Sequence, residues 1–317
     1  MLCPTCAGPT RRFGTNRNGS QRYRCDACPR TFTDDATRPA DRRRLAPEKA
    51  VFCLRMLLEG NSIRSTERLT EVHRDTIIAT MVEVGEKCER FLARIVKNIP
   101  AVDVQGDEIW GFVGCKEKTR ELKGHGGEVG DAWCFVALER DTKLILAWHL
   151  DKRTPAATLC FAAKLNDATA GRFQFSTDGF TAYRTAVPLV FGENIDFAQL
   201  VKTYGNNPET GTAGRYSPGE VIGADKVVRI GAPLESRICT SHSERANLSI
   251  RMAVRRMTRL TNAHSKKWEN HQAALALWFA YYNFCRVHST TKKTPAQAAG
   301  LTDRTWSVTE LLSKIEE

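Results

Sequence analysis

The pentapeptide Gly106-Asp107-Glu108-Ile109-Trp110 decides how the middle of this chain folds. Apolar residues around it, among them Val104 and Phe112, mark an extended segment and predict a β-strand that carries Asp107 late in its length. On a regular strand Asp103 faces the same side as Asp107, whereas Glu108 faces the other side. Asp107 and Asp103 are therefore the two candidate functional carboxylates of this strand.

Two further carboxylates follow comparable signals. Asp178 directly follows the strand-like run 172–175, and Gly179 allows a tight turn after it. Glu244, in Ser243-Glu244-Arg245-Ala246-Asn247, opens a predicted long helix. Carboxylates are hard oxygen ligands suited to Mg²⁺ or Mn²⁺, and two such ions can clamp a phosphodiester between them. The three carboxylates together predict a metal site for polynucleotidyl transfer.

Glu244 has an alternative interpretation. The run from Ser241 to Glu244 also matches a capping box, in which the glutamate only bonds back to the start of its helix. Against that, Leu248, Arg251 and Arg255 share the helical face of Glu244. Cations one or two helical turns after a metal-binding glutamate would contact DNA phosphates. The arginines that we expect to contact DNA here are Arg251, Arg255, Arg256 and Arg259.

Composition and charge narrow the class of protein. The 317 residues are 42% hydrophobic, which excludes global disorder. The net charge is +11 and the pI about 9.2, which favours nucleic acid over a membrane as the partner. No apolar stretch approaches the roughly 18 residues of a spanning helix, and the start of the chain lacks a signal-peptide core. We therefore expect a cytoplasmic protein whose cysteines are thiols or metal ligands.

Two C-x-x-C pairs stand at the start of the chain. Cys3-Pro4-Thr5-Cys6 and Cys25-Asp26-Ala27-Cys28 have the spacing of a four-thiolate Zn²⁺ site. We predict a zinc ribbon over residues 1–38, with Tyr23 and Phe32 packed near the metal. A redox or disulfide pair is the alternative, which two matched pairs disfavour. The arginines that give this module its positive charge are Arg11, Arg12, Arg17, Arg22, Arg24 and Arg30.

Residues 45–98 predict three helices. Pro47 begins the first, Gly60-Asn61 ends it, a short second helix follows, and a third begins near Asp75. This arrangement fits a DNA-binding helix-turn-helix, although a plain helical bundle between domains is the alternative. The side chains expected nearest the bases are His73, Arg74 and Thr76.

Residues 100–262 change to an α/β (α+β) pattern. The sequence predicts three strands with a hairpin between the second and third, then helix, strand, helix and strand. Residues 203–233 are rich in Gly and Pro and predict an inserted loop and hairpin that touches DNA or a second subunit. Residues 263–317 predict a helical tail, in which His288 is a structural histidine rather than an acid or base.

With these motifs in place, the chain resembles the insertion-sequence-one family of bacterial transposases. The ribbon, the helix-turn-helix, the carboxylate core and the Tyr-Asn…Arg…His…Thr-Pro-Ala tail occur in the family's order. The resemblance implies a ribonuclease-H-like core whose first and fourth strands end side by side. It also implies an Asp-Asp-Glu triad of Asp107, Asp178 and Glu244, and it favours Asp107 over Asp103 because the Asp-Glu-Ile-Trp context matches.

What the resemblance implies for function goes beyond composition. It implies metal-dependent cleavage and joining of DNA, recognition of terminal inverted repeats, and a homodimer or higher oligomer that pairs two element ends. Two alternatives stay open: a domesticated DNA-binding regulator without catalysis, and a nuclease that cuts without joining.

Overall fold

Three short antiparallel strands form the first of two units. In the computed structural model, which describes residues 2–15, 21–33, 45–205, 221–259 and 261–316, the chain divides into Met1–Ala50 and Val51–Glu317. The first unit has the strand order β1-β2-β3, and the rings of Tyr23 and Phe32 stack with centroids 6.0 Å apart. Arg17 lies outside the described residues, as do residues 34–38 of the predicted ribbon. The strands are β1 (Thr10–Thr15), β2 (Gln21–Cys25) and β3 (Thr31–Thr33).

Three helices occupy the predicted helix-turn-helix region. Ser62 caps the second helix, its hydroxyl accepting from the Ser65 N–H at 3.0 Å, and Glu71 ends that helix in the left-handed conformation. His73 caps the third through its ring Nδ1, which accepts from the Asp75 N–H at 3.3 Å. The helices are α1 (Pro47–Leu58), α2 (Ile63–Thr70) and α3 (Arg74–Ile95).

A six-stranded mixed sheet forms the centre of the second unit. Its strand order is β11-β10-β9-β5-β6-β7, in which β5, β6 and β7 are antiparallel, β9 and β10 run parallel to β5, and β11 is antiparallel at the edge. A separate parallel pair joins β4 to β8. The strands are β4 (Ile99–Pro100), β5 (Asp103–Val113), β6 (Gly130–Glu139), β7 (Ile145–Asp151), β8 (Thr169–Ala170), β9 (Gln174–Asp178), β10 (Asp196–Tyr204) and β11 (Val221–Ile230).

Helices cover both faces of this sheet. On one face Phe135 packs against Phe161, with ring centroids 5.6 Å apart, and on the other Trp148 packs against Phe279 at 5.2 Å. The buried apolar cluster includes residues from Leu54 to Ile315, so α1, α3 and the predicted tail share it with the sheet. The remaining helices are α4 (Glu117–Lys123), α5 (Pro155–Ala168), α6 (Tyr183–Phe191), α7 (Ser241–Ala253), α8 (Trp268–Phe284), α9 (Pro295–Ala298) and α10 (Val308–Lys314).

Two sequence predictions about this region need correction. The predicted insertion at 203–233 is in part an extension of the sheet, because β11 pairs with β10 from Phe197 to Tyr204; residues 206–220 lie outside the described residues. The helix that begins near Glu244 is shorter than expected, since it ends at Ala253. Arg255 therefore lies on a separate 3₁₀ turn rather than on the helical face of Glu244.

Close packing joins α3 to α8. A methyl group on Gly85 would overlap the backbone of Ala273, so the two helices approach as closely as their main chains allow. Below this contact the fully buried amide of Asn283 donates to the Ile145 carbonyl and accepts from its N–H, at 3.0 and 3.1 Å. No helix in the described ranges has the length and apolar character needed to span a bilayer.

A buried histidine makes the stability of this unit depend on pH. His271 is fully buried, its Nδ1 lies 3.0 Å from Ser265 Oγ, and Arg256 bonds the same hydroxyl at 3.0 Å. Burial first, and then the charge of Arg256, lowers the pKa of His271 to about 3. In the unfolded chain His271 binds a proton near pH 6.5, whereas in the folded protein it stays neutral at that pH. The free energy of unfolding therefore falls as the pH falls below about 6.5.

We predict that His271→Gln flattens this dependence. Between pH 7 and pH 5 the wild type should lose about 2 kcal/mol more of its unfolding free energy than the variant. Urea unfolding followed by tryptophan fluorescence measures the difference. Equal losses in the two proteins would show that His271 is protonated in the folded state.

Candidate functional site

Asp107 is held in place by two hydrogen bonds from different elements. Its Oδ1 accepts from the Glu108 N–H at 2.8 Å, and its Oδ2 accepts from Asn247 Nδ2 of α7 at 2.8 Å. Asn247 follows Glu244 by three residues and lies on the same face of α7. Helix α7 therefore contacts Asp107 through Asn247 rather than through Glu244. The Asp107 carboxylate thus has a fixed orientation on the α7 face of the sheet.

Asp178 ends the neighbouring parallel strand. The pairing of β5 with β9 sets Gly106 against Thr177, so Asp107 and Asp178 follow one another at the same edge of the sheet. Asp178 Oδ1 accepts from the Phe180 N–H at 2.9 Å, which holds the turn that follows the strand. Gln199 of β10 supports that turn by donating to the carbonyls of Asp178 and Phe180 at 2.8 and 3.0 Å.

Glu108 joins these two carboxylates, contrary to the sequence prediction. One oxygen each from Asp107, Glu108 and Asp178 lies within 4.8 Å of the others. Glu108 leaves β5 on the opposite face from Asp107, as alternation requires. Strand β9 ends at Asp178, however, so beyond this residue β9 no longer separates the two faces of the sheet. Asp178 is therefore within reach of the side chains of both Asp107 and Glu108.

Arg153 and Tyr183 hold Glu108 from the α5–α6 face. The Tyr183 hydroxyl donates to Oε1 at 2.5 Å, and the Arg153 guanidinium donates to Oε2 at 2.9 and 3.1 Å. The same guanidinium lies 3.8 Å from Asp178 and 3.9 Å from the centre of the Phe180 ring. Neither Arg153 nor Tyr183 was singled out as a site residue from the sequence, since each depends on packing between elements distant in the chain.

Crowding of like charges is the main electrostatic feature of the site. Burial first, and then the charges of Glu108 and Asp178, raises the pKa of Asp107 to about 7. Burial, followed by the charge of Asp178, also raises the pKa of Glu108 to about 7 despite its bonds to Tyr183 and Arg153. A cation bound among these oxygens would relieve the repulsion, and hard carboxylate ligands suit a divalent ion. The three side chains therefore form a group that could hold a metal.

Glu244 lies near this group without belonging to it. Its Oε1 accepts from Lys202 Nζ of β10 and from Thr240 Oγ1, the latter at 2.7 Å. Its charge contributes to the raised pKa of Asp107, which indicates proximity. The capping-box alternative does not hold, because the helix cap is Thr240 and its side chain makes no capping bond. Glu244 as the third metal ligand stays a prediction.

Asp103, the secondary candidate, is in a different environment. It is fully buried and pairs with Arg140 at 3.1 Å and Arg237 at 3.6 Å, away from the group of three carboxylates. Its position is that of an internal ion-pair residue.

The four N-terminal cysteines form a second group that could hold a metal. Their sulfurs lie within 4.8 Å of one another, with separations of 3.3 Å for Cys6–Cys28 and 3.5 Å for both Cys3–Cys28 and Cys6–Cys25. Tetrahedral thiolates at a Zn–S length of ~2.3 Å would be about 3.8 Å apart, so a small expansion admits the ion. The Thr5 N–H contributes most to lowering the pKa of Cys3 to about 6, whereas the Cys6 sulfur contributes most to raising that of Cys28 to about 12.

The basic residues predicted to contact DNA fall into two groups. Arg251 donates to the carbonyls of Met257 and Trp110 at 2.9 and 3.1 Å, and Arg256 donates to Ser265 and to the Met81 sulfur at 3.0 and 3.3 Å. Burial is the first cause that lowers the pKa of each to about 10. These two arginines support the fold from inside. The residues that remain accessible to a partner are Arg255, Arg259, His73, Arg74 and, in part, Thr76.

His288 makes only local contacts among the described residues. Its Nδ1 accepts from the Thr290 N–H at 3.2 Å and its N–H donates to the Lys293 carbonyl at 2.9 Å. These bonds fit the predicted structural role in the loop after α8.

Comparison with known proteins adds little to this geometry. No protein-family model matches the chain, and no curated protein matches it. Among solved structures, the chain is similar to a piggyBac transposase in a synaptic complex with hairpin DNA, with a TM-score of 0.38 and 10% identity over 86% of this chain and 71% of that one. So loose a superposition assigns no function, which has to be argued from the residues themselves.

We predict that divalent-ion binding needs Glu108 as well as the two aspartates. Glu108→Gln keeps the size of the side chain but removes its charge, so the affinity for Mn²⁺ should fall about 10- to 100-fold. Titration calorimetry measures it, with Glu128→Gln on an exposed loop as the matched control. Wild-type affinity in Glu108→Gln would exclude this carboxylate from the metal site.

Proposed function

We propose that this protein is an Asp-Asp-Glu DNA transposase of the insertion-sequence-one type, with a ribonuclease-H-like core. It binds the terminal inverted repeats of its own element, cleaves the DNA strand at each end and joins that end to target DNA. Asp107, Asp178 and Glu244 are the catalytic residues and the ligands of Mg²⁺, for which Mn²⁺ can substitute.

One observation carries this proposal. Asp107 and Asp178 end up side by side on adjacent parallel strands, with the carboxylate of Glu108 within 4.8 Å of theirs, in a sheet whose strands follow the order β7-β6-β5-β9-β10. Counted along the core, β5 is the first strand and β9 the fourth, and the resemblance implies that these two strands end side by side. Divalent ions at such a site supply activation of a water or 3′-hydroxyl nucleophile and stabilisation of the leaving oxygen.

The chain's own residues prepare the carboxylates for that role. Asn247 and the Glu108 N–H fix both oxygens of Asp107, leaving the outer lone pairs for a metal. Glu244 requires a modest change, since Lys202 and Thr240 now bond the same oxygen of its carboxylate. Lys202 thus neutralises Glu244 until an ion replaces it, and the ammonium is then available for a DNA phosphate.

The other modules fit the same activity. We propose Zn²⁺ for the four-thiolate group, in which the ion stabilises the ribbon, and contact of the ribbon and helix-turn-helix with the inverted repeats. His73, Arg74 and Thr76 lie at the start of α3, where a recognition helix meets base edges. Arg255 and Arg259 meet phosphates from the exposed segment after α7. Pairing two ends requires a dimer or larger assembly, acting in the cytoplasm on the bacterial nucleoid.

A strand-transfer assay tests the proposal. Short duplexes ending in the repeats that flank the coding sequence are incubated with Mg²⁺, and joined products are resolved on a denaturing gel. Wild type should give joined products, and Asp178→Asn and Glu244→Gln should each lower the rate at least about a hundredfold. Glu128→Gln, on an exposed loop, is the control and should be fully active.

The other outcomes separate the alternatives. Cleavage without joining indicates the nuclease, and end-specific binding without cleavage indicates the regulator. Full activity of Glu244→Gln, with Asp178→Asn inactive, would move the third ligand from Glu244 to Glu108.

We further predict that Cys25→Ser removes zinc and end-specific binding together while the core stays folded. A module this small cannot bury enough apolar surface without the metal. Metal analysis reports the bound zinc, gel-shift competition reports end specificity, and tryptophan fluorescence reports the core, because all six tryptophans lie in Val51–Glu317. Unchanged specificity in the zinc-free variant would mean that the ribbon serves another partner.

A further inference from the structure

A cavity of about 580 Å³ lies between β5 and residues 256–259, 261, 262 and 264. Aromatic rings line one side of it: Trp110 and Phe112 have centroids 5.7 Å apart, and Phe112 and His264 are 4.6 Å apart. All three residues are partly exposed. Partly exposed aromatic side chains in one row can stack on unpaired bases.

The row continues directly from the metal group. Glu108, Trp110 and Phe112 alternate along β5 and therefore face the same side of the strand, each about 6.6 Å from the next at ~3.3 Å per residue. A strand whose phosphate lies at the carboxylates would place its neighbouring nucleotides along these rings. The cavity thus lies two to four residues further along the strand face that carries Glu108.

Charge in the cavity favours an anion. Lys116, Arg256 and Arg259 line it, and Lys116 Nζ lies 5.7 Å from the Trp110 ring centre. No Asp or Glu is present among the described residues that line it. Arg256 is committed to Ser265 and Met81, which leaves Lys116 and the exposed Arg259 as the cations for a ligand.

The neighbouring cavity extends this positive surface. It measures about 640 Å³ and shares Arg256, Thr261, Asn262 and His264 with the first. Its rim includes exposed cations from both α2–α3 and the segment after α7, and its single lining carboxylate among the described residues is Asp75. These exposed cations are Arg64, Arg74, Arg255, Lys266 and Lys267.

We propose that the cavity between β5 and residues 256–259, 261, 262 and 264 binds an unpaired nucleotide. This nucleotide neighbours the cleaved phosphodiester in the same DNA strand. Its base contacts Trp110 and Phe112, and its phosphate contacts Lys116 and Arg259. A duplex buries its base faces in its own stack and could offer this cavity only phosphates, whereas a frayed or single strand offers both groups. The choice of DNA as the source rests on the proposed function; the chemistry of the site alone requires a nucleotide.

Binding of the full-length protein to fluorescein-labelled oligothymidine, in buffer without Mg²⁺ or Mn²⁺, tests this without catalysis. Trp110→Leu keeps an apolar side chain but removes the ring, and should weaken binding about tenfold or more. Trp110→Phe should restore most of the affinity. Lys116→Gln should lower the slope of log affinity against log salt concentration by about 0.7. The control is Lys97→Gln, an exposed residue just after α3, which should leave the slope unchanged.

Several results would overturn the proposal. One is wild-type affinity in Trp110→Leu, and another is equal loss in Trp110→Leu and Trp110→Phe, which would indicate damage to the fold. Competition with thymidine monophosphate and with a blunt duplex identifies the source: displacement by the mononucleotide alone would make a free nucleotide the ligand, and displacement by the duplex alone would exclude an unpaired base. If Trp110→Leu loses oligothymidine binding and the wild type gives no strand transfer, the nucleotide site is supported and the transposase proposal is rejected.

Discussion

The parallel pairing of β5 with β9 is the constraint on which the rest of the structure depends. Its register sets Gly106 against Thr177, and a shift by one residue would turn every side chain of one strand to the opposite face. Gly106 contributes to that register, because a β-carbon there would lie 2.7 Å from the Phe175 ring. A parallel pair also needs a crossover connection, and β6, β7 and α5 provide it while burying the sheet. The separation of the two aspartates is thus set by backbone pairing.

Local patterns were sufficient to predict most elements of this architecture. The sequence predicted three strands followed by helix, strand, helix and strand, and the structure has β5, β6, β7, α5, β9, α6 and β10 in that order, with α4 between β5 and β6. The cysteine pairs located their own cluster because ligand spacing along a chain is itself the signal. The edge strand β11 was only partly predicted, since it is exposed along most of its length and lacks the alternation that a buried face imposes.

The site was less predictable, because the proximity of Glu108 to Asp178 depends on where strand β9 ends. Alternation placed Glu108 on the far face correctly, yet the end of β9 lets Asp178 contact both faces. Helical periodicity likewise placed Arg255 on the face of Glu244. Helix α7 stops at Ala253 without a glycine or proline, since Val254 is buried and turns the chain into the core, and Arg255 therefore lies on a separate 3₁₀ turn. Tertiary packing overrides a one-dimensional pattern in each case.

Charge balance at the site sets the order in which its ligands assemble. Asp107, Glu108, Asp178 and Glu244 bring four carboxylates, and two cations, Arg153 and Lys202, contact them directly. Full ionisation leaves two negative charges, which one divalent ion neutralises. A second divalent ion would leave the site with two excess positive charges, and a bound phosphodiester would offset one of them. A first divalent ion therefore needs only the ligands of the protein, whereas a second ion at this site needs an additional anion.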